Sequence, residues 1–341
     1  MKAVVLVGGE GTRLRPLTET MPKPLVPFMN RPFLDHVLDH LAEHGVDEVV
    51  CSSPYLEAVF HAFLETREGR SPSVRWITET EPLGTAGAIA GALDLLEGTF
   101  LALNGDILTD MDLGALLEVH RARKAVATIA LHQVEDARPF GLVEAEADGR
   151  VLAFREKPEE AVPGSINAGV YVLEPAAVAK VPRGRMVSIE RETYPDLIAG
   201  GAPVFSAVAS GYWLDLGTPE AYLRAHADAL DGRIAEYRGL ARPFLAGGAR
   251  VEPGATVGPH VVMGPGAVVA AGADVDTSVL HEGATVAGEA RVRSSILGPD
   301  AAVGARADVR DSVLAEGARV GDGARLTEAR VSPGEVVRAG G

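Results

Sequence analysis

Apolar residues in the first hundred positions follow two alternating rhythms. Ala3–Val7 is a continuous apolar run that stops at Gly8-Gly9-Glu10-Gly11, the pattern of a buried strand entering a glycine-rich turn. From Pro32 to Glu43, the residues Phe33, Leu34, Val37, Leu38 and Leu41 recur at helical spacing, and Gly45 supplies a stop. The same reading predicts a strand over Glu48–Ser52, a helix over Leu56–Arg67, a strand over Val74–Thr78, a helix after Gly84 and a strand over Phe100–Leu103. Strands separated by helices imply βαβ units and a mostly parallel sheet covered on both faces. Strand-like runs at Ala127–His132 and Ala168–Leu173 continue this α/β region, and a helix over Pro219–Leu230 ends it.

Near residue 245 the pattern changes. From Val251 onward there is no Phe, Tyr, Trp or Lys, and apolar residues return every six positions at Val251, Val257, Met263, Val269 and Val275. The register then slips by one at Leu280, Leu297 and Leu314, which are seventeen apart. Two sides of six residues and one of five make each coil of a triangular prism, with one small aliphatic residue inward per side and glycine at the corners. A disordered Gly/Ala linker does not explain an aliphatic register kept over about five coils. Some solenoids of this kind transfer acyl groups with a histidine base; His260 and His281 are the candidates here, and neither has a catalytic context in the sequence.

Composition narrows the class. The 341 residues are 47% hydrophobic, enough for a full core and two domains. The single cysteine, Cys51, excludes an intrachain disulfide framework and a cysteine-based zinc cluster. The N-terminal apolar run is too short for a membrane span and has the wrong flanks for a signal peptide, so a cytoplasmic protein is expected, with no membrane partner. A net charge of −15 without a basic cluster argues against nucleic acid, though a few local cations and a metal can still neutralise a phosphorylated small molecule.

The candidate chemistry is that of phosphates. Gly8, Gly9 and Gly11 follow a predicted strand and allow backbone N–H groups to approach an anion, while Arg13 and Arg15 can grip phosphate oxygens with forked hydrogen bonds. The spacing is neither the dinucleotide fingerprint nor the ATPase phosphate loop. In Pro22-Lys23-Pro24 the prolines restrict the backbone and direct one compact cation, placed to stabilise charge on a transferring phosphoryl group. Asp106 ends a strand in Asn104-Gly105-Asp106, while Asp110 or Asp112 is the better turn or cap residue. Asp215 stands in Trp213-Leu214-Asp215-Leu216, where a lone carboxylate is expensive unless paired or ligated. Asp106 and Asp215 are the candidate ligands for Mg²⁺. Glu156 and Asn167 can engage vicinal hydroxyls, and Lys157 can neutralise an acceptor phosphate.

This set resembles the sugar-1-phosphate nucleotidylyltransferases, most closely their mannose-1-phosphate guanylyltransferase branch. Gly8–Thr18, Pro22–Phe28, Asn30-Arg31-Pro32, Glu79–Ala86, Asn104–Asp106, Glu156–Pro158, Asn167–Gly169 and Trp213–Gly217 carry the resemblance. It implies a Rossmann-like nucleotidyltransferase domain with a mostly parallel mixed sheet over residues 1–232, a linker over 233–250 and a left-handed β-helix of hexapeptide repeats over 251–341. It further implies nucleotide binding by Gly8, Gly9, Gly11, Thr12, Arg13, Glu79, Gly84 and Thr85, and sugar-phosphate binding by Gly141, Glu156, Lys157, Asn167 and Gly169. Arg13, Lys23 and Asp106 are then the catalytic residues, and Asp106 and Asp215 hold Mg²⁺. The implied reaction is in-line attack of a sugar 1-phosphate on the α-phosphorus of a nucleoside triphosphate.

A carboxylate at Glu79 can accept guanine's adjacent N1–H and amino donors together, which favours GTP. Mannose 1-phosphate follows from kinship, and a homo-oligomer is expected from the solenoid. Thymidylyl or uridylyl transfer to glucose 1-phosphate is the alternative within the family. A non-catalytic regulatory subunit that binds nucleotide sugars is the alternative outside it. Retention of Arg13, Lys23, Asp106, Lys157 and Asp215 speaks against a non-catalytic subunit.

Overall fold

The computed structural model describes residues 1–54 and 57–339, so Leu56 at the start of the expected second helix and the last two glycines lie outside the described residues. Contacts divide the chain into two compact units, each discontinuous in sequence: Met1–Gly9 with Leu34–Trp213, and Glu10–Phe33 with Leu214–Gly341. Among the described residues no helix is long and apolar enough to cross a membrane.

The first unit is built on a nine-stranded sheet. Lys2–Leu6 lies between Glu48–Ser53 and Phe100–Asn104, parallel to both, and Ser73–Thr78 adds a further parallel strand outside Glu48–Ser53. Beyond Phe100–Asn104 the direction reverses. Gly164–Leu173 runs antiparallel to it and to Ala127–Val134, and the pair Gly141–Ala145 and Val151–Glu156 extends that half. The sheet is thus mixed, parallel where helices cross over and antiparallel where loops do. Its central strands are apolar on both faces, as two-sided cover requires: Val4, Phe100, Ala102, Tyr171 and Leu173 on one face, and Val5, Leu101, Leu103, Val170 and Val172 on the other, are all buried. Helices α1 (Phe33–Glu43), α2 (Glu57–Glu65), α3 (Gly84–Ala92), α4 (Leu113–Arg123) and α5 (Tyr194–Ala199) accompany it. Asp112 caps α4 by accepting the Ala115 N–H at 3.0 Å.

The second unit contains helix α6 (Pro219–Leu230) and a solenoid of three parallel sheets with six, six and five strands. Strands stack eighteen residues apart at the start, as in Phe244↔Val262, and seventeen apart from Val262 onward, as in Val279↔Ile296 and Ile296↔Val313, which fits the left-handed β-helix implied by the resemblance. The expected aliphatic column is buried from Met263 to Val320. Two departures are instructive. Each side carries a second inward residue two positions before the aliphatic: alanine on two sides, as in Ala284 and Ala290, and serine on the third. Ser295 Oγ donates to the Arg293 carbonyl at 2.7 Å and accepts the Ser312 N–H at 3.1 Å, and Ser278 and Ser312 do the same. The short side thereby satisfies backbone groups that its tight corner would otherwise strand. Secondly, Val251 is 38% exposed, because no coil precedes the first one to cover it. One sheet also buries its outward face: Val262, Val279, Ile296 and Val313 are covered, with Leu223 and Ala227 of α6 lining a cleft of about 300 Å³ beside Ile296 and Val313.

Equivalent repeat positions should therefore differ in stability. Leu297→Ala is expected to cost about 2–5 kcal/mol, whereas Val251→Ala should stay within about 0.5 kcal/mol. Urea denaturation of both variants checks the contrast.

Candidate active site

Three parallel strands of the first unit end at one edge of the sheet. Gly8 and Gly9 follow Lys2–Leu6, Glu79 follows Ser73–Thr78, and Gly105-Asp106 follow Phe100–Asn104. The chain leaves the central strand toward Glu48–Ser53 and returns on its other side at Phe100–Asn104, so this edge is a topological switch point, where open α/β sheets bind ligands. Backbone crowding there demands glycine: a Cβ on Gly105 would lie 2.8 Å from the Leu6 carbonyl oxygen. A Cβ on Gly9 would meet nothing within 4 Å, leaving the turn open to an incoming group.

Glu79 is buried rather than solvent-facing. Its Oε1 accepts the Ser52 hydroxyl at 2.7 Å and its Oε2 accepts the Leu83 N–H at 3.0 Å. Each oxygen keeps a further lone pair, so the carboxylate is oriented without being exhausted as an acceptor. Gly84 opens α3 at φ +66°, where a side chain would meet the Val187 carbonyl at 2.7 Å. The Thr85 hydroxyl is committed within the protein: it donates to Glu190 Oε2 at 2.9 Å and accepts the Ile189 N–H at 2.7 Å.

The polyol-type residues gather on neighbouring strands of the same unit. Gly141 and Glu156 are register partners, and a Cβ on Gly141 would come within 2.9 Å of Glu156 Oε2. Lys157 adopts φ +51° while its N–H donates to the Phe140 carbonyl at 2.9 Å. A left-handed lysine costs about 1–2 kcal/mol, strain of the kind that collects at functional positions. Asn167 donates through Nδ2 to Tyr171 Oη at 2.7 Å and accepts the Gly169 N–H at 3.0 Å, so both ends of its amide are oriented. Gly169, at φ +71°, lets the strand pass Asn104, since a Cβ there would sit 2.8 Å from Asn104 Nδ2. Trp213 pins the same segment by donating Nε1–H to the Ala168 carbonyl at 2.8 Å, while stacking on His132 and meeting Phe140 edge-on.

In the second unit, Gly11 turns at φ +62° into the 3₁₀ segment Thr12–Leu14, and Thr12 and Arg13 are exposed. A side chain on Gly11 would press on Lys23 Cβ at 3.0 Å. Arg13 Nη2 lies 3.4 Å from Asp215 Oδ2, and Lys23 Nζ lies 3.7 Å from Asp215 Oδ1. Gly217 keeps room for the guanidinium, as a Cβ there would collide with Arg13. Arg15 takes a different partner, Glu10, at 3.6 Å. The two solenoid histidines are otherwise engaged. His260 pairs with Asp231 at 2.9 Å, and His281 is buried with its Nε2 3.0 Å from Tyr222 Oη.

Sequence reasoning missed Glu190. It joins Thr85 to Asn167, accepting from Thr85 and Ser188 on one oxygen and from Tyr171 Oη at 3.4 Å on the other. A usable signal lay beside it. Ser188 Oγ accepts the Arg191 N–H at 3.1 Å, and Glu192 accepts the Ser188 N–H at 3.1 Å. This is a capping box lengthened by one residue across the π turn Ile189–Thr193.

A glycine turn at the carboxyl edge of a parallel sheet, beside oriented polar side chains and a lysine in left-handed backbone, is the kind of edge at which α/β enzymes bind their ligands. The nucleotidyl transferase family model matches residues 2–232, and the chain belongs to that family. Residues 242–340 match the model described as the GMPPB C-terminal domain. A mannose-1-phosphate guanylyltransferase of Mycobacterium tuberculosis is 40% identical over 83% of this chain and 80% of its own length. Mannose-1-phosphate guanylyltransferase 1 of Arabidopsis thaliana is 42% identical over 67% of this chain and 66% of its own. Among solved structures, HddC of Yersinia pseudotuberculosis complexed with GMP-PN is 29% identical with a TM-score of 0.58, covering 66% of this chain and 97% of that one.

The site carries a measurable penalty. Burial, reinforced by the Glu190 charge, raises the Glu156 carboxyl above its ordinary value of 4.5. The folded state therefore binds this proton more tightly than the unfolded one. The associated stability is fully present below pH 4.5 and is lost as pH rises through the raised value. Glu156→Gln should stabilise the protein at pH 7.5 and leave it nearly unchanged at pH 4, as thermal melts at the two pH values would reveal.

Proposed function

We propose that the protein transfers the guanylyl group of GTP to mannose 1-phosphate, forming GDP-mannose and releasing pyrophosphate. The observation that carries this reading is 40% identity to a mannose-1-phosphate guanylyltransferase across 80% of that relative's length. The buried Glu79 supports the base assignment. Ser52 and Leu83 hold its carboxylate in one orientation, with lone pairs left for the adjacent N1–H and amino donors of guanine. Uracil and thymine offer a single ring donor and suit this carboxylate less.

In this reading residues 1–232 form the catalytic domain, and residues 251–341 the solenoid. Gly8, Gly9, Gly11 and Thr12 receive the triphosphate through backbone groups, with Gly84 and Thr85 shaping the base loop. Arg13 and Lys23 exchange part of their pairing with Asp215 for phosphate oxygens as charge develops there. Glu156, Asn167, Gly141 and Gly169 orient the sugar, and Lys157 neutralises its phosphate. The acceptor is already ionised near neutral pH, so positioning and electrostatics suffice without a proton relay.

Asp106 and Asp215 would hold Mg²⁺. Their carboxylates are hard oxygen donors, and the buried Asn104 Oδ1, two residues before Asp106 in sequence, has no hydrogen-bond partner among the described residues. Among the described residues no cluster of three or more His, Cys, Asp or Glu could cage a metal. Once bound, the ion would neutralise charge on the transferring phosphates.

A matrix of GTP, dTTP, UTP, ATP and CTP against mannose, glucose and N-acetylglucosamine 1-phosphates, scored by product mass and kcat/KM, tests the pairing. GTP with mannose 1-phosphate should lead, and a higher kcat/KM for dTTP or UTP with glucose 1-phosphate would replace this reading by its family alternative. Lys23→Ala should lower kcat about 10²–10³-fold, the range for losing one preorganised electrostatic stabiliser. Isothermal titration with GTP should show a much smaller loss of affinity, and a pure affinity defect would contradict the role given to Lys23.

A further inference from the structure

Within the second unit, the segment that carries Lys23 ends in a hairpin, Pro27–Phe28 with Arg31–Pro32, whose turn residues Met29 and Asn30 both take left-handed backbone, φ 47° and 65°. That turn makes three attachments. Asn30 Nδ2 donates to the Met263 carbonyl of the solenoid at 2.9 Å. The Met29 N–H donates to His226 Nε2 on α6 at 3.2 Å, which leaves the His226 proton on Nδ1, where it donates to the Tyr222 carbonyl at 2.9 Å. The third attachment is a chain of side chains. The Pro27 carbonyl can only accept, so the Tyr222 hydroxyl proton goes to it, and Tyr222 Oη accepts from His281 Nε2–H at 3.0 Å.

The remaining features of His281 agree with that direction. Its Nδ1 is buried without a partner among the described residues, as the unprotonated nitrogen of this tautomer would be. Burial lowers its pKa to about 4, so the ring is neutral near pH 7. From Pro27 back to Lys23 the path is short and stiff. Leu25 N–H donates to the Pro22 carbonyl at 2.8 Å and Val26 N–H to the Lys23 carbonyl at 3.2 Å, in a 3₁₀ turn punctuated by Pro22, Pro24 and Pro27.

We infer that the β-helix anchors the phosphate-gripping loop, with His281 and Tyr222 acting as positioning residues for Lys23. This rests on the proposed nucleotidyl transfer, in which Lys23 serves the transferring phosphoryl group. It gives the solenoid a role in turnover: a side chain rooted in its second coil sets where a cation four residues before Pro27 can stand.

The test uses full-length protein and four variants. Tyr222→Phe and His281→Leu remove the chain, and His281→Gln keeps an N–H donor at similar reach. Ser295→Ala breaks buried hydrogen bonds elsewhere in the same solenoid and serves as the control for stability alone. Tyr222→Phe and His281→Leu should lower kcat for pyrophosphate release roughly 10- to 100-fold with little change in KM for GTP, the scale expected when a reacting group shifts by about an ångström. His281→Gln and Ser295→Ala should turn over near the wild-type rate. Hydrogen–deuterium exchange, which needs no activity, should quicken across residues 23–33 in the first two variants and not in the other two. Unchanged exchange there in folded Tyr222→Phe and His281→Leu, or wild-type kcat in both, would overturn the inference. A wild-type chain that releases no pyrophosphate would instead sink the transfer reading, and the exchange data would still decide whether the anchor exists.

Discussion

The arrangement depends first on Asp215, a carboxylate set between the buried Leu214 and Leu216. A charge in such surroundings is tolerable only when paired, and both of its oxygens face cations, Arg13 and Lys23. Those cations come from the N-terminal segment, and residues 10–33 group with residues 214 onward. The glycines at 11 and 217 follow from the same demand. Each makes space for a cation of the triad, one beside Lys23 Cβ and the other beside the Arg13 guanidinium. Asp215 thereby fixes where two cations from distant parts of the sequence can stand.

Much of this was legible in the sequence because short-range physics controls it. The Ala3–Val7 run, the glycine turn and the helical spacing from Phe33 to Leu41 each report a local period, and the structure places elements there. The solenoid was legible for the same reason, since every coil repeats one pattern. What escaped was set by contacts distant in sequence. Nothing near Glu190 says that Thr85, about a hundred residues earlier, will donate to it, or that Tyr171 will carry its influence to Asn167. The outward apolar column at Val262, Val279, Ile296 and Val313 is buried too, and the α6 residues beside Ile296 and Val313 come from about seventy residues or more earlier in the chain. Val251 shows the converse. Its repeat position is that of a core residue, and its exposure follows solely from being in the first coil.

Glu190 also shows how one buried acid can serve two neighbourhoods. Its π turn adds a residue that an α-helical turn would not accommodate, and the extra residue lets its carboxylate meet Thr85 at the start of α3 and Tyr171 on the sheet. Thr85 and, through Tyr171, Asn167 are thus tied by hydrogen bonds to one acid. Its like charge adds to burial in raising the Glu156 carboxyl above its ordinary value.

A solenoid of near-identical coils carries an ambiguity that its core cannot resolve. Sliding the stack by seventeen residues would put valine on valine, leucine on leucine and serine under serine, so aliphatic packing and the hydroxyl ladder distinguish poorly between the true alignment and one displaced by a whole coil. His281 breaks that symmetry. The corresponding places in the next two coils are Gly298 and Ala315, which have no donor to offer. A slide of one or two coils would therefore take away the side-chain donor that Tyr222 meets, and the histidine works as an index mark that tells a repetitive structure where to begin counting.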